Sequence, residues 1–252
     1  LDSVMNYPFR DTMLDFFLHN KDAKHTARVL MRIYENYPLH NFYSNMNLIG
    51  THDVPRVLTI LGEAPSEEGM SLSEKEKYRL PEQKRRTGIA RLKLLSLIQM
   101  TFPGVPSVYY GDEAGMEGYR DPLNRGTYPW GKEEKELQNW YRKIIGIRNR
   151  YDVLSTGKLI LLPLEGDVFG YIRVISNGMD VFGNTANDNL AVILVNRNKD
   201  LERRVTIDIS RYCSGVLYNL VRGNIPVETA EGILNLVLKP LEGMILIKNH
   251  EE

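Results

Sequence analysis

Over the first 150 residues, short apolar runs alternate with stretches of helical periodicity; beyond them, apolar runs alternate with turn formers. Leu1 to Met5 reads as a strand, and Asn6-Tyr7-Pro8-Phe9 as the loop leaving it. From Arg10 to Leu18, the apolar Met13, Leu14, Phe16 and Phe17 share one side of a short helix. Ala27, Leu30, Met31 and Tyr34 do the same for a helix from Lys24 to Asn36. Met46 to Ile49 is the next strand, broken by Gly50. Residues 63–82 are polar, crowded with charge and interrupted by Pro65, Gly69 and Pro81, which predicts a solvated excursion. A long helix follows from about Pro81 to Thr101, with Ile89, Leu92, Leu95, Leu97 and Ile98 as its buried stripe and Pro103-Gly104 as its stop. Val105 to Tyr110 is a third strand. From Lys132 to Arg150, Leu137, Trp140, Ile144 and Ile147 recur at helical spacing. Strands alternating with helices in this way indicate parallel β/α units.

After Tyr151 the texture changes. Lys158 to Leu162, Val168 to Ile175, Leu190 to Val195, Arg203 to Ile209, Val216 to Leu220, Ile233 to Leu238 and Met244 to Ile247 are short apolar or alternating runs separated by turn formers. Many short strands and no long helix predict an antiparallel β-sandwich. The boundary falls between about Tyr151 and Gly157, giving residues 1–152 and 153–252 as two domains. A complete β/α barrel takes about 250 residues, and barrel-like sequence ends near residue 150. The first domain is therefore expected to hold about three β/α units, the C-terminal part of a TIM barrel. Three such units alone would leave strand edges unpaired. The chain also opens at Leu1, in what reads as a strand already under way, so we expect a piece of a longer protein.

Charge narrows the partners. Lys+Arg and Asp+Glu stand at 32 each, leaving no basic field to draw nucleic acid or anionic lipid. No apolar run approaches the roughly 18 residues of a membrane span. The single cysteine, Cys213, excludes an internal disulfide and a cysteine zinc site, and it suits a reducing compartment such as the cytoplasm without fixing one. His19, His25 and His40 have no metal-ligand spacing, and His250 belongs to the chain end. No phosphate-cradling glycine loop is present.

Candidate chemistry concentrates just after the second strand, in Asn47-Leu-Ile-Gly-Thr-His-Asp-Val-Pro-Arg56. His52 and Asp53 follow the glycine break, at the carboxyl end of a buried strand, where β/α barrels keep their reactive groups. Taken alone, Asp53 reads equally as the N-cap of the next helix. Two further stretches change that balance: Gly104-Val-Pro-Ser-Val-Tyr-Tyr-Gly-Asp-Glu113, and Asp121-Pro-Leu-Asn-Arg125 followed by Tyr128-Pro-Trp130.

Together these stretches resemble the α-amylase family of glycoside hydrolases. Asn47–Arg56 resembles its seventh barrel-strand segment, Gly104–Glu113 its eighth, and Asp121–Arg125 the loop after the eighth in the branch of neopullulanase, cyclomaltodextrinase and maltogenic amylase. Asn6–Phe9 is similar to that branch's sixth-strand segment. The resemblance covers residues 1 to about 150 and is looser beyond. It implies a retaining hydrolase of α-1,4-glucans such as maltooligosaccharides, cyclodextrins or pullulan. Asp53 would be the carboxylate that stabilises the oxocarbenium-like transition state. His52 would bond hydroxyls of the same sugar, and Arg125 and Asp121 would contact the glucan on the non-reducing side of the cut. Asp112 and Glu113 are expected to support their loop rather than act as acid and base, and Trp130 either stacks on a sugar or packs the loop. Trp140 and Tyr141 are read as helix packing.

The family's nucleophile, an aspartate in a Gly-x-Arg-x-Asp-type strand end, has no counterpart in its proper context, and neither has its glutamate proton donor. Gly118-Tyr-Arg-Asp121 comes close to the first but follows the eighth-strand segment and leads into a proline loop. The expectation is a partial active site, inactive by itself, completed by the other half of the barrel from the same parent or a second chain. No cofactor is required; calcium in the parent and oligomer formation both stay open, with no metal site identifiable in this stretch. The competing readings are a glucan transferase or isomerase on the same scaffold, and a non-catalytic carbohydrate-binding or interaction fragment.

Overall fold

A computed structural model describes residues 3–249. Leu1 and Asp2 of the expected first strand, and His250, lie outside the described residues. The first helix, α1, spans Tyr7–Phe17 and so begins ahead of the expected Arg10. Pro8 stands in its first turn, where a missing N–H is no loss, and the Asn6 side chain caps it by accepting from Phe9 N at 3.1 Å. Asn6–Phe9 is therefore a cap and a first turn rather than a loop. The second helix, α2 (Ala23–Asn36), starts on Asp22, whose carboxylate accepts from His25 N at 2.8 Å. A short α3 (Leu39–Ser44) leads into β1 (Met46–Leu48).

β1 pairs in parallel with β2 (Val105–Ser107), and Met5 bridges in parallel to Met46. β2 is shorter than the expected run to Tyr110, because the backbone turns at Tyr110 and Gly111, the latter at φ +85°. Between these strands lie α4 (Val57–Leu61), α5 (Leu72–Lys77) and α6 (Glu82–Thr101). The charged excursion is solvated but not structureless. Ser71 and Glu74 form a capping box that starts α5, and none of that helix is buried. From Arg91 to Thr101 only Lys93 escapes burial. The expected single stripe is widened because α4 and α7 (Lys135–Arg150) flank α6 while the C-terminal sheet covers it from behind.

After the four-residue α8 (Val153–Thr156) the chain is antiparallel sheet. β3 (Lys158–Leu161), β4 (Val168–Ile175), β5 (Asn189–Asn196), β7 (Val216–Asn219), β8 (Ile225–Glu228) and β10 (Glu242–Ile247) make one sheet in the order β3-β4-β5-β10-β7-β8. β6 (Arg203–Asp208) and β9 (Ile233–Leu238) make a second. The unexpected strand is β8, an edge strand whose Pro226 and exposed side chains hide it from pattern reading. The two sheets share a core in which Ile172, Val192 and Leu194 meet Ile207, Leu234 and Leu236. The large sheet's other face joins the main core, with Phe169, Tyr171, Ile193 and Ile245 packed among Phe9, Phe16, Leu97 and Phe102. Both faces of β4 and β5 are thus covered, which explains why nearly every side chain in them is buried and most are apolar.

One buried and one half-buried guanidinium group fix the turn that launches β2. Arg173 donates to Thr101 O and Leu154 O at 2.6 Å each, and Arg148 to Met100 O and Gly104 O at 2.7 Å each. Five fixed donors suit arginine to gathering several carbonyls at once.

Candidate active site

The loops leaving β1 and β2 lie side by side above a floor of buried amides. Asn6 Nδ2 donates to Asn47 Oδ1 at 2.9 Å, and Asn47 Nδ2 to Pro103 O at 2.8 Å. Gln99 Nε2 ties Asn47 O and Ser107 O at 2.9 and 2.8 Å. These bonds link α1's start, β1 and β2 where water cannot compete, so the strand ends keep one register.

Above the floor a buried ion pair joins the loops. Arg56 Nη1 is 3.3 Å from Asp112 Oδ1 and also donates to Tyr110 O, while its guanidinium stands 4.4 and 4.6 Å from the ring centres of Tyr109 and Tyr110. Gly50 leaves room for the Asp112 carboxyl, which a Cβ there would strike. Full burial pushes the Asp112 carboxyl up to about 7, against the opposing pull of Arg56. The pair costs desolvation, and it holds the backbone of 109–112 against the end of the first loop.

His52 and Asp53 stand at the exposed rim, His52 Nε2 3.1 Å from Asp53 Oδ1 and both about half exposed. The other carboxyl oxygen of Asp53 accepts from Tyr7 Oη at 3.1 Å, and its backbone N–H is fixed by Thr51 Oγ1 at 3.1 Å. Tyr7 was not singled out from sequence; its one signal there was standing within Asn6–Phe9. In the second loop, Arg125 Nε pairs with Asp121 Oδ1 at 2.9 Å, and this pair is also about half exposed. Between the pairs lies Asn124, fully buried, whose Nδ2 donates to both His52 O and Val54 O at 2.8 Å. The structure so brings all four residues expected from sequence onto two neighbouring loops. Arg56, Gly50 and Asn124, which set their placement, carried no sequence signal beyond standing in the same stretches.

Asp112 and Glu113 part company, Asp112 toward Arg56 and Glu113 toward the Tyr128 hydroxyl, which partial desolvation and Glu113 push upward. Trp130 is 81% exposed and touches Tyr128 at 4.6 Å between ring centres, so it does not pack the loop interior. Tyr141 is buried in α7, and Trp140 Nε1 donates to Ser96 Oγ at 3.0 Å, as helix packing requires. Among the described residues no three His, Cys, Asp or Glu side chains gather as a metal site, and no helix is long and apolar enough to cross a membrane. A groove of about 650 Å³ between α6, α7 and the sheet turns is lined by none of His52, Asp53, Asp121 and Arg125; one of about 490 Å³, lined by Pro55, Tyr119 and Arg120, adjoins the loops.

Comparison with known proteins places the chain in a family. The family described as "Alpha amylase, catalytic domain" matches residues 1–150. An amylopullulanase of Thermoanaerobacter thermohydrosulfuricus is 38% identical over 98% of this chain and 17% of its own length. A cyclomaltodextrinase of Geobacillus thermopakistaniensis is 32% identical over 82% of this chain and 30% of its own. Among solved structures, a cyclomaltodextrinase superposes with a TM-score of 0.75 at 24% identity, covering 97% of this chain and 36% of that one. An Anoxybacillus α-amylase gives 0.75 at 21% identity over 98% and 47%. These likenesses show a shared fold, and the chain spans between 14 and 20% of the length of the three amylopullulanases it matches. With a family match over residues 1–150 and a relative 38% identical across 98% of this chain, the chain belongs to the α-amylase family of glycoside hydrolases.

Proposed function

We propose that this chain is part of a retaining hydrolase of α-1,4-glucans, in which Asp53 stabilises the transition state and His52, Arg125 and Asp121 hold the sugar. The observation that carries this reading is the Asp53 carboxyl, anchored by Tyr7 Oη and His52 Nε2 at 3.1 Å each yet about half open to solvent at a strand end. A carboxylate in this position accepts hydroxyl hydrogen bonds that strengthen as the ring flattens toward an oxocarbenium ion. Arg125 and Asp121 supply a donor and an acceptor on the adjoining loop, which suits the next sugar along the chain.

In this reading residues 1–152 are the last β/α units of a barrel and residues 153–252 a sandwich domain packed against them. Three parallel segments, Met5, β1 and β2, support that, as do the exposed apolar side chains of Val4, Met5, Val105 and Val108 beside them. Upstream barrel strands would cover those side chains and bring the nucleophile and proton donor, whose strand-end motifs are missing from this sequence. The amylopullulanase and cyclomaltodextrinase relatives suggest maltooligosaccharides, pullulan and cyclodextrins as substrates.

Incubating the complete protein with maltotriose and following the anomer released tests the proposal. We expect glucose and maltose, with the new reducing end appearing first as the α-anomer. Transfer or isomer products without net hydrolysis would favour another chemistry on the scaffold. Glucan binding without turnover would favour a binding module.

A further inference from the structure

We infer that Asn124 is a positioning residue that sets where the Asp53 carboxyl stands and couples it to the Arg125 turn. This rests on the reading that Asp53 acts on the sugar. The Asn124 side chain is fully buried, and its Nδ2 donates at 2.8 Å to the carbonyls on either side of Asp53, those of His52 and Val54. A peptide held at both flanking carbonyls has little freedom to turn its side chain. The amide's Oδ1 has no protein partner, so the side chain is oriented by its two donated bonds alone. Rotating it by half a turn would set oxygen against two carbonyl oxygens.

The other end of the clamp is equally fixed. Asn124 lies in the 3-10 turn Leu123–Arg125, adjacent in sequence to Arg125. The Asn124 carbonyl accepts from Tyr109 Oη at 3.5 Å, and Gly126 O from Tyr110 Oη at 2.9 Å, both tyrosines flanking Arg56. Movement of the Arg125 turn is therefore passed to the Asp53 peptide through one side chain. A displacement of about 1 Å at a reacting group can cost roughly 100-fold in rate, so a clamp here acts on turnover more than on binding.

The test is Asn124→Asp in the complete protein, read by hydrogen exchange and by kinetics on maltotriose. The substitution keeps the shape but replaces the donor with a carboxylate facing two carbonyls, whose burial raises its pKa. At pH 7.5 we expect the amides of residues 51–54 to exchange at least about tenfold faster, while those of β5 and β10 keep wild-type protection. We expect kcat to fall about 10- to 100-fold with KM changed less than about threefold. Near pH 5 the protonated carboxyl donates again, and part of the loss in kcat returns. Unchanged exchange over residues 51–54, or a rise in KM with kcat intact, would overturn the inference. If wild-type protein does not hydrolyse glucans at all, the reading of function fails, and the exchange measurement still decides whether Asn124 clamps the loop.

Discussion

Gly50 lies directly beneath the Asp112 carboxyl, two buried groups 62 positions apart in the chain that share the space of one side chain. A Cβ at Gly50 would stand 2.9 Å from Cγ of Asp112 and nearer still to Oδ2. Gly50→Ala must therefore push Asp112 off Arg56 or move the strand end. Overpacking of this kind costs about 1–3 kcal/mol, a drop in melting temperature of several degrees for a chain this long. The same change should lower turnover, because Arg56 holds the loop that bears Asp53. Thermal melting beside kinetics on maltotriose checks both.

Asp112 also makes a pH prediction. Its folded-state pKa, raised to about 7 by burial, lies above the unfolded value of 3.8. The folded protein then binds the proton more tightly, so this group's stabilising contribution is complete below about 4 and is lost as pH rises toward about 7. Asp112→Asn does not titrate. The gap in melting temperature between wild type and Asp112→Asn should be larger at pH 5 than at pH 8; an equal or wider gap at pH 8 would contradict the placement of this carboxyl.

Among the described residues Arg125 forms its ion pair with Asp121, on its own loop. Its replacement should weaken binding more than chemistry. Arg125→Ala is expected to raise KM for maltotriose about tenfold with kcat within about threefold of wild type. Steady-state kinetics over a range of oligosaccharide lengths checks this, with the defect growing for chains long enough to reach the second loop.

Sequence exposed the residues proposed to hold the sugar more readily than those that position them. His52, Asp53, Asp121 and Arg125 stand in short stretches whose order and spacing are themselves informative. The long-range clamps are different. Asn124 meets His52 O across 72 positions and Arg56 meets Asp112 across 56, and no local periodicity encodes such approaches. Elements followed the same division. β4, buried on both faces, was plain from its mostly apolar run, while β8 was obscured by Pro226 and by its exposed edge position. Pro8 disguised the start of α1 because proline breaks a helix interior but is welcome in a first turn.

The reading depends most on Asp53, and the kinetics of Asp53→Asn in the complete protein test it most directly. The amide keeps the size of the side chain and removes the charge proposed to meet the oxocarbenium-like state. We expect kcat for maltotriose to fall by roughly 10²- to 10³-fold, with melting temperature and glucan binding close to wild type. A variant that turns over maltotriose at near the wild-type rate would contradict the account.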